Sequence, residues 1–321
     1  MTVLLIGKFY VESFAQHIAE TFRKMGHEVL PVEYGLKSVA GRFPFRHQLQ
    51  KVNLKLFSLY ESSPRYESRF LQKLLRMASR QPVDLILSCH DFLTPRQVKA
   101  LKSATGAPVA LWFPDPIHHF QKAMFLNASY DHLFFKEPYM AEVLRRELLQ
   151  PAYYLPECCN PDYHKRVTLT EEEKQKFGCQ LTTAGNLHSS RAQFFSHFLD
   201  YQVKLWGNPA PHWMDVRAIQ GMIQNEFVSN ETKCKAFTGA AIVLNNLFPS
   251  EIYGVNVRTF EIAAAGGFQL VNDRKSLPGL FQLDTQIVAF TSLPEAKDKV
   301  AYYLSRPEER NAIAAAAYTR A

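Results

Sequence analysis

The chain has 321 residues, a formal net charge of +7 at pH 7, and 47% hydrophobic residues. This length allows about two domains of roughly 150 residues each, and the composition excludes a disordered or fibrous protein. No apolar run reaches the ~18 residues that span a bilayer, and the apolar N-terminus lacks the basic flank of a signal peptide. The five cysteines form neither a disulfide framework nor a C-x-x-C metal pattern. We therefore predict a cytoplasmic protein.

The first half of the chain alternates short β-rich runs with amphipathic stretches. The predicted strands are 3–6, 28–32, 83–88, 109–113, 132–135 and 153–155. The predicted helices are 13–25, one or two within 48–79, 95–104 and 139–148. Several strands are continuous apolar runs, as expected where helices cover both faces of a parallel sheet. The pattern favours a doubly wound α/β domain.

A proline-containing polar stretch near residue 160 interrupts the pattern, and a second α/β series follows it. The predicted strands of this series are 181–184, 204–206, 241–245, 268–271 and 287–290. The predicted helices are 193–201, 257–265, 294–304 and 307–318. We therefore predict domains 1–160 and 161–321 that face a cleft, since clefts between domains are common ligand sites.

The excess positive charge lies in residues 36–80, which hold ten basic residues and two acids, Glu61 and Glu67. Aromatic residues are interleaved with these charges, and we predict a basic helical insert in the first domain. Such a segment suits an anionic membrane surface, an acidic acceptor or nucleic acid. It equally suits a solvated helical face whose apolar side chains pack inward. Charge alone does not decide between these interpretations.

The densest group of candidate ligand-binding residues lies at 250–268, SEIYGVNVRTFEIAAAGGF. A glycine turn enters a predicted helix, and the free N–H groups and positive dipole end of a helix suit a diphosphate. Arg258 adds a forked, charge-assisted donor. Glu261 lies on the same helical face, where a carboxylate can accept both hydroxyls of a ribose. The alternative is an ordinary acid near a helix start beside an incidental arginine.

This run resembles the C-terminal half of the CgeB-like (spore maturation protein) glycosyltransferases of the GT-B superfamily. Four further stretches fit the family in the same order: WFPDP at 112–116, LPECCNP at 155–161, AGNLH at 184–188 with Arg191, and LWGN at 205–208 with Trp213. The resemblance implies two Rossmann-like domains, with the donor held mainly by the C-terminal one. It implies no separate cofactor, and a nucleoside-diphosphate sugar, expected to be UDP-linked, as the donor substrate.

The resemblance makes Glu261 the acceptor of the ribose hydroxyls and assigns Arg258, with the loop at 185–186, to the diphosphate. The complete set of implied donor-binding residues is Gly185, Asn186, Arg191, Trp206, Gly207, Tyr253, Gly254, Asn256, Arg258, Thr259 and Glu261. Many retaining members carry a second Glu eight positions before the ribose-binding one. That position is Tyr253 here, and Glu251 lies two residues away. Inversion and retention of the sugar configuration both stay open.

The chain lacks the Asp-x-Asp pattern of metal-dependent glycosyltransferases, and its neighbouring His and Cys residues do not have metal-ligand spacing. We therefore predict a metal-independent reaction, in which a helix dipole, N–H groups and basic side chains stabilise the leaving diphosphate. Asp115, Asp91 and His90 follow predicted strands and are the candidates for acid–base catalysis. The alternative for both aspartates is capping of the helices that follow.

These features predict a metal-independent glycosyltransferase that moves a sugar from a UDP-sugar to an acceptor. The alternatives are an epimerase or hydrolase of nucleotide sugars on the same fold, and a non-catalytic nucleotide-sugar-binding protein. A dehydrogenase is disfavoured because GKF after the first strand is not G-x-G-x-x-G. The basic segment 36–80 favours an acidic, lipid-linked or polymeric acceptor and peripheral contact with the inner membrane face. Nucleic acid is not expected as a partner.

Overall fold

The structure, a computed structural model, describes residues 1–35, 56–120 and 122–321. The chain divides into two compact units, Met1–Phe135 with Met140–Leu155, and Lys136–Tyr139 with Pro156–Ala321. The sequence places the domain boundary at residue 160, whereas the second unit begins at Pro156 and also takes a short segment from the first half. Residues 36–55 of the expected basic insert lie outside the described residues.

The first unit is built on a parallel six-stranded sheet of order β2-β1-β3-β4-β5-β6. Its strands are β1 (Thr2–Gly7), β2 (Glu28–Glu33), β3 (Leu85–Ser88), β4 (Val109–Phe113), β5 (His132–Phe135) and β6 (Ala152–Tyr154). Its helices are α1 (Phe14–Lys24), α2 (Pro64–Ala78), α3 (Pro95–Thr105) and α4 (Pro138–Leu148), with 3₁₀ turns at Ile117–His119 and Met124–Leu126. Residues 56–61 are also helical.

The strands of this sheet are buried on both faces. In β1, Leu4 and Ile6 belong to one apolar cluster, and Val3 and Leu5 belong to another. Because successive side chains of a strand point to opposite faces, helices must cover both sides of the sheet. This confirms the doubly wound arrangement predicted from the continuous apolar runs.

The second unit holds a parallel five-stranded sheet of order β11-β10-β9-β7-β8. Its strands are β7 (Cys179–Ala184), β8 (Val203–Trp206), β9 (Ala240–Asn245), β10 (Gln269–Asn272) and β11 (Val288–Phe290). Its helices are α5 (Glu171–Phe177), α6 (Ser189–Phe195), α7 (Asn230–Gly239), α8 (Arg258–Ala264), α9 (Leu277–Leu280), α10 (Leu293–Leu304) and α11 (Pro307–Arg320), with a 3₁₀ turn at Arg217–Met222.

The predicted helix 193–201 is wrong in its position. Helix α6 begins at Ser189, because the Nδ1 atom of His188 accepts the N–H of Arg191 at 3.2 Å. Histidine is not a preferred N-cap residue, so the start of this helix carries only a weak sequence signal. Phe198 is fully buried just after the helix ends.

Helices α5, α7 and α9 have no counterpart in the predicted elements. The sequence of α5, EEEKQKF, reads as a polar linker, but Thr170 and Glu173 form a capping box at its start. The residues of α9 include Pro278 and Gly279, which usually mark a turn. Among the helices in the described ranges, none is long and apolar enough to cross a bilayer.

Candidate functional site

Two glycines allow close backbone approach at the ends of β7 and β8. Gly185 has a φ of +124°, and its N–H donates to the Trp206 carbonyl at 2.9 Å. A Cβ at Gly185 would collide with the guanidinium of Arg258 and lie 3.5 Å from Nη1 of Arg191. A Cβ at Gly207 would collide with the Gly185 carbonyl. Glycine is therefore required at both positions.

Two guanidinium groups meet at this glycine turn. Arg191 is only 4% exposed, and Arg258 is half-buried. Nη1 of Arg191 donates to the Asn186 carbonyl at 2.5 Å, and Nε of Arg191 is buried without a hydrogen-bond partner. Nη1 of Arg258 lies 3.5 Å from Oδ1 of Asn245. Within the described part of the chain, neither guanidinium has a carboxylate within 4 Å.

The electrostatics of this pair favour a bound anion. Burial lowers the pKa of Arg191, and the positive charge of Arg258 lowers it further. Burial also lowers the pKa of Arg258, although Glu261 and Glu251 partly oppose this shift. Because neither guanidinium is directly paired with a carboxylate of the described residues, a bound anion would stabilise both charges.

Asn256 and Thr259 hold the start of α8 in place. Oδ1 of Asn256 accepts the N–H of Thr259 at 3.2 Å, and Nδ2 of Asn245 donates to the Thr259 hydroxyl at 3.0 Å. Thr259 and Asn245 are fully buried. These bonds fix the first turn of α8 and therefore the position of Arg258.

Glu261 lies three residues into α8 and is 7% exposed. Its Oε1 atom lies 3.0 Å from Nζ of Lys233 and 3.3 Å from Nε2 of His164. The N–H of Asn160 donates to Nδ1 of His164 at 3.2 Å, so Nε2 is the ring nitrogen nearest Glu261. Oε2 of Glu261 has no hydrogen-bond partner among the described residues. One carboxylate oxygen is thus held while the other is available to a ligand.

Trp206 differs from the other predicted donor-binding residues because its side chain belongs to the core. It is 2% exposed and packs against Phe177 with the ring centroids 5.1 Å apart. Only its backbone carbonyl, which accepts the N–H of Gly185, reaches the glycine turn. The structure therefore gives the Trp206 ring a packing role.

Glu137 holds the loop before α8, and sequence reasoning missed it. Its carboxylate accepts the N–H of Ile252 at 2.8 Å and the N–H of Tyr253 at 2.9 Å. The N–H of Gly254 lies 3.2 Å from each of the two carboxylate oxygens. The residue is only 2% exposed. Three consecutive N–H groups aimed at one carboxylate form an anion-binding nest that the chain itself fills.

Lys136 reinforces the same loop. Its Nζ atom lies 2.9 Å from Oε1 of Glu251 and 3.6 Å from Oε2 of Glu157, and all three side chains are largely buried. Glu251, which lies near the expected second acid, is therefore paired inside the unit. The position of Lys136 and Glu137, directly after β5, could have marked them as site candidates in the sequence. His90 and Asp91 were selected on the same ground, since they lie one residue beyond the end of β3.

The Tyr253 side chain contacts the ring of Tyr139 and the ammonium group of Lys275. Its ring meets that of Tyr139 edge-on with the centroids 5.4 Å apart, and Nζ of Lys275 lies 4.5 Å from the Tyr253 centroid. Together with the nest at Glu137, these contacts fix the loop backbone up to Gly254. A Cβ at Gly254 would collide with the Lys136 carbonyl, so this position also requires glycine.

In the first unit, the structure brings two of the acid–base candidates together. Nε2 of His90 lies 3.4 Å from Oδ2 of Asp115, and Nδ1 of His119 lies 3.4 Å from Oδ1 of the same carboxylate. His90 has a φ of +145°, and its carbonyl accepts the Ser88 hydroxyl at 2.7 Å. Strained backbone of this kind often occurs at functional sites.

Asp91 is engaged by backbone groups. Its Oδ2 and Oδ1 atoms accept the N–H groups of Met124 at 2.7 Å and Phe125 at 3.0 Å. Burial raises the pKa of the Asp91 carboxyl, while these hydrogen bonds oppose the shift. Thr94, and not Asp91, caps the helix that follows, so the capping alternative for Asp91 is wrong. Asp91 instead holds the 3₁₀ turn at Met124–Leu126, and Asp115 and His90 are the closer candidates for proton transfer.

Comparisons with known proteins agree with this arrangement. A family model described as Glycosyl transferase-like matches residues 190–321, which include Arg191, Arg258 and Glu261. Spore protein CgeB of Bacillus subtilis (strain 168) is 23% identical over 245 residues, which are 71% of this chain and 73% of CgeB. The resemblance to CgeB that the sequence motifs predicted is thus confirmed.

Solved glycosyltransferase structures share the fold of the whole chain. A glycosyltransferase from Rickettsia africae ESF-5 gives a TM-score of 0.64 at 11% identity and covers 99% of this chain and 92% of its own. Anabaena Alr3699/HepE in complex with UDP-glucose gives a TM-score of 0.65 at 10% identity, and the match covers 99% of this chain and 94% of HepE. Sucrose-phosphate synthase from Thermosynechococcus elongatus gives a TM-score of 0.64 at 12% identity, and the match covers 100% of this chain and 94% of the synthase. The chain is therefore similar to CgeB and to glycosyltransferases, and it has a GT-B-like fold of two Rossmann-like units.

Proposed function

We propose that the protein transfers a sugar from UDP to an acceptor hydroxyl, and that its second unit binds the nucleoside diphosphate. The observation that carries this proposal is the pair of guanidinium groups at the Gly185 turn, from the buried Arg191 and the half-buried Arg258. A diphosphate would supply the missing counter-charge and accept forked hydrogen bonds from both side chains. The HepE structures with UDP and with UDP-glucose support UDP as the nucleotide.

Glu261 is the residue we assign to the ribose. Its Oε1 atom is held by Lys233 and His164, which leaves Oε2 to accept the ribose hydroxyls. The nest at 252–254 already holds the Glu137 carboxylate, so it does not supply the counter-charge site for the diphosphate. The arginine pair therefore carries that role.

We propose that the reaction needs no metal ion. Two guanidinium groups can stabilise the negative charge that develops on the leaving diphosphate, which is the task a divalent cation performs in metal-dependent enzymes. Among the described residues, no group of three or more His, Cys, Asp and Glu side chains is arranged as a metal site. Turnover that persists in excess EDTA would support the proposal, and loss of turnover that Mg²⁺ or Mn²⁺ restores would contradict it.

We assign proton transfer from the acceptor to His90 and Asp115 in the first unit. The Asp115 carboxylate, between two imidazoles, can orient His90 and stabilise its charged form when it takes a proton. Such a step contributes typically 10²–10⁴-fold to the rate. Asp115→Asn should therefore lower kcat at least 100-fold while UDP affinity stays unchanged.

The described part of the basic segment supports an anionic acceptor. The exposed charged side chains along α2 and just after it are all basic: Arg65, Arg69, Lys73, Arg76 and Arg80. The two acids are used internally, since Glu61 accepts the Tyr34 hydroxyl at 2.5 Å and Glu67 accepts the Thr94 hydroxyl at 2.8 Å. We therefore propose an acidic, lipid-linked or polymeric acceptor, with peripheral membrane contact for a lipid-linked one.

Calorimetry with UDP and uridine tests the donor site. Arg258→Ala should weaken UDP binding about 10–100-fold, the value of a hydrogen bond to a charged group, and should leave uridine nearly unaffected. Glu261→Gln should weaken both ligands by about 10-fold, because both carry the ribose. Arg217→Ala is the matched control, since Arg217 is exposed and pairs only with Asp215. If Arg258→Ala lost the same affinity for UDP as for uridine, Arg258 would not bind the diphosphate.

Turnover separates the proposed transferase from the alternatives. Incubation with a panel of UDP-sugars should release UDP slowly from one of them, and an acidic or lipid-linked acceptor should accelerate the release. Release that no acceptor accelerates would indicate a hydrolase, and conversion of the sugar without UDP release would indicate an epimerase. Binding without any turnover would indicate a nucleotide-sugar-binding protein.

A further inference from the structure

The second unit contains a cavity that the proposed donor site does not use. Its volume is about 360 Å³, at the small end of the roughly 300–1,000 Å³ of ligand pockets. The segment 166–168, the ends of α7 and α8, and one side of α11 line it. The polar side chains of this lining are Arg166, Thr168, Thr238 and Asn311. We propose that the cavity binds a monosaccharide that carries one anionic group, a phosphate or a carboxylate.

The cavity and the arginine pair lie at opposite ends of α8. Arg258 is the first residue of this helix, whereas Ala265 and Gly266, which line the cavity, follow its last residue. The helix has seven residues, which at about 1.5 Å each separate its two ends by roughly 10 Å. None of the described residues that we assign to UDP lines the cavity. The cavity is therefore a second site, and it does not depend on UDP being the donor nucleotide.

The guanidinium of Arg166 is held in place and lacks a counter-charge. Its Cζ atom lies 4.1 Å from the centroid of the Tyr318 ring, in a cation–π contact. The same side chain lies against Gly266, where an added Cβ would collide with it. Within the described ranges, Arg166 has no hydrogen-bond partner and no carboxylate within 4 Å, and no acid lines the cavity. Its N–H groups can therefore form forked bonds to a phosphate or a carboxylate.

The uncharged polar groups of the lining match the hydroxyls of a sugar. The side chains of Thr168 and Asn311 have no hydrogen-bond partner among the residues that the structure describes. The Thr238 hydroxyl donates to the Ala265 carbonyl at 3.2 Å, so its oxygen can still accept a hydrogen bond. Hydroxyl and amide groups both donate and accept, as sugar hydroxyls do. A neutral sugar would leave Arg166 unused, whereas an anionic sugar uses both parts of the lining.

Calorimetry on the full chain tests the class of ligand. The probes are glucose 1-phosphate, ribose 5-phosphate and glucuronate, together with glucose and inorganic phosphate as the separate parts. At least one anionic sugar should bind about 10-fold more tightly than either part, because each part makes hydrogen bonds that the other lacks. The tightest probe identifies the anionic group as a phosphate or a carboxylate. If no anionic sugar bound, or if one part bound as tightly as every anionic sugar, the proposal would be wrong.

Variants of the lining locate the bound probe. Arg166→Ala should weaken binding of the anionic sugar about 10–100-fold, the value of a hydrogen bond to a charged group. Arg306→Ala is the matched control: Arg306 also stacks on a tyrosine, with its Cζ atom 3.8 Å from the Tyr302 centroid, but it does not line the cavity. Equal losses in the two variants would overturn the site.

Two further comparisons keep the test independent of folding and of the donor site. Thr168→Val removes an exposed hydroxyl with little change of shape, and it should weaken the anionic sugar about 3–10-fold without affecting inorganic phosphate. Arg258→Ala and saturating UDP should both leave binding of the anionic sugar unchanged. Displacement of the sugar by UDP, or its loss in Arg258→Ala, would assign it to the donor site and overturn the second site.

Discussion

Carboxylates near the candidate sites have different tasks because their immediate neighbours differ. Asp91 and Glu137 accept backbone N–H bonds at both oxygens, which commits them to holding loops. Glu261 and Asp115 instead contact imidazole or ammonium groups. Glu137 accepts four such contacts from the loop at 252–254 and Asp91 two, so both carboxylates are committed to the backbone, whereas Glu261 keeps Oε2 for a ligand hydrogen.

Glu137→Ala tests this distinction at the residue scale. The variant leaves the N–H groups of Ile252, Tyr253 and Gly254 without their acceptor, so it should lower the free energy of unfolding by about 2–3 kcal/mol. Urea denaturation measures the change. Glu147→Ala is the control, since Glu147 is exposed and pairs with its neighbour Arg146. A change no larger than that of the control would show that water replaces the carboxylate without cost.

At the scale of elements, the strand ends and the short helix α8 place the donor-site residues. Gly185 follows β7, Gly207 follows β8, and Asn245 ends β9. Because these strands are parallel and adjacent in the sheet, their carboxyl ends lie at one edge. That edge is where the Arg258 guanidinium reaches Gly185.

Gly185→Ala should disrupt this edge. Its φ of +124° is strained for alanine, and the new Cβ would displace the Arg258 guanidinium. We expect a loss of about 1–3 kcal/mol in stability, together with weaker UDP binding. Gly221→Ala is the matched control, because no atom lies within 4 Å of its added Cβ. Similar effects of the two variants would contradict the close approach at Gly185.

The start of α10 carries a pH-dependent contribution to stability. The Glu295 carboxylate accepts hydrogen bonds from the N–H and the hydroxyl of Thr291 and forms an ion pair with Lys299. These contacts, and the hydrogen bond from Lys299 most of all, lower the pKa of Glu295 to about 2. The folded-state pKa lies below the unfolded value, so the stabilisation is complete above about pH 4.5 and is lost as pH falls toward 2. Because the side chain is a third exposed, we expect only about 0.5–1 kcal/mol.

Acid titration of Glu295→Gln checks this expectation. The variant should be less stable than wild type at pH 7, and the difference should vanish near pH 2 as the wild-type carboxylate becomes protonated. Guanidinium chloride unfolding at several pH values measures both curves. A difference that stays constant from pH 7 to 2 would assign the effect to packing and not to the charge.

At the scale of the whole molecule, each unit has its own sheet and its own apolar core. The arginine pair and Glu261 belong to the second unit, while Asp115 and His90 belong to the first. Ligand binding should therefore stabilise the two units unequally, because a ligand stabilises the state that holds it.

Hydrogen exchange in saturating UDP tests this division. At 100 times its Kd, UDP should slow exchange in the second unit by up to ~100-fold, equivalent to about 2.7 kcal/mol. The largest protection should fall around Gly185, Arg191 and Arg258. Exchange around His90 should change little. Protection confined to the first unit would contradict the proposed donor site, and Arg258→Ala should reduce the protection at the same UDP concentration if that site is correct.

The sequence by itself determined the strands, the fold class and the local pair Arg258–Glu261. Continuous apolar runs mark strands because a strand buried on both faces must be apolar throughout. Arg258 and Glu261 were found because both lie in one short helix, where three-residue spacing places them on one face. The helix at α6 was misplaced because its cap, His188, carries only a weak sequence signal.

Only the tertiary structure decided which groups surround these residues. Lys233 lies 28 positions from Glu261, and Glu137 lies 115 from Ile252, so no local periodicity connects them. The role of Asp91 likewise depended on Met124 and Phe125, whose N–H groups the fold brings to its carboxylate. Local patterns fix elements because hydrogen bonding and burial repeat along the chain, whereas a site depends on which distant side chains meet once the strands are paired.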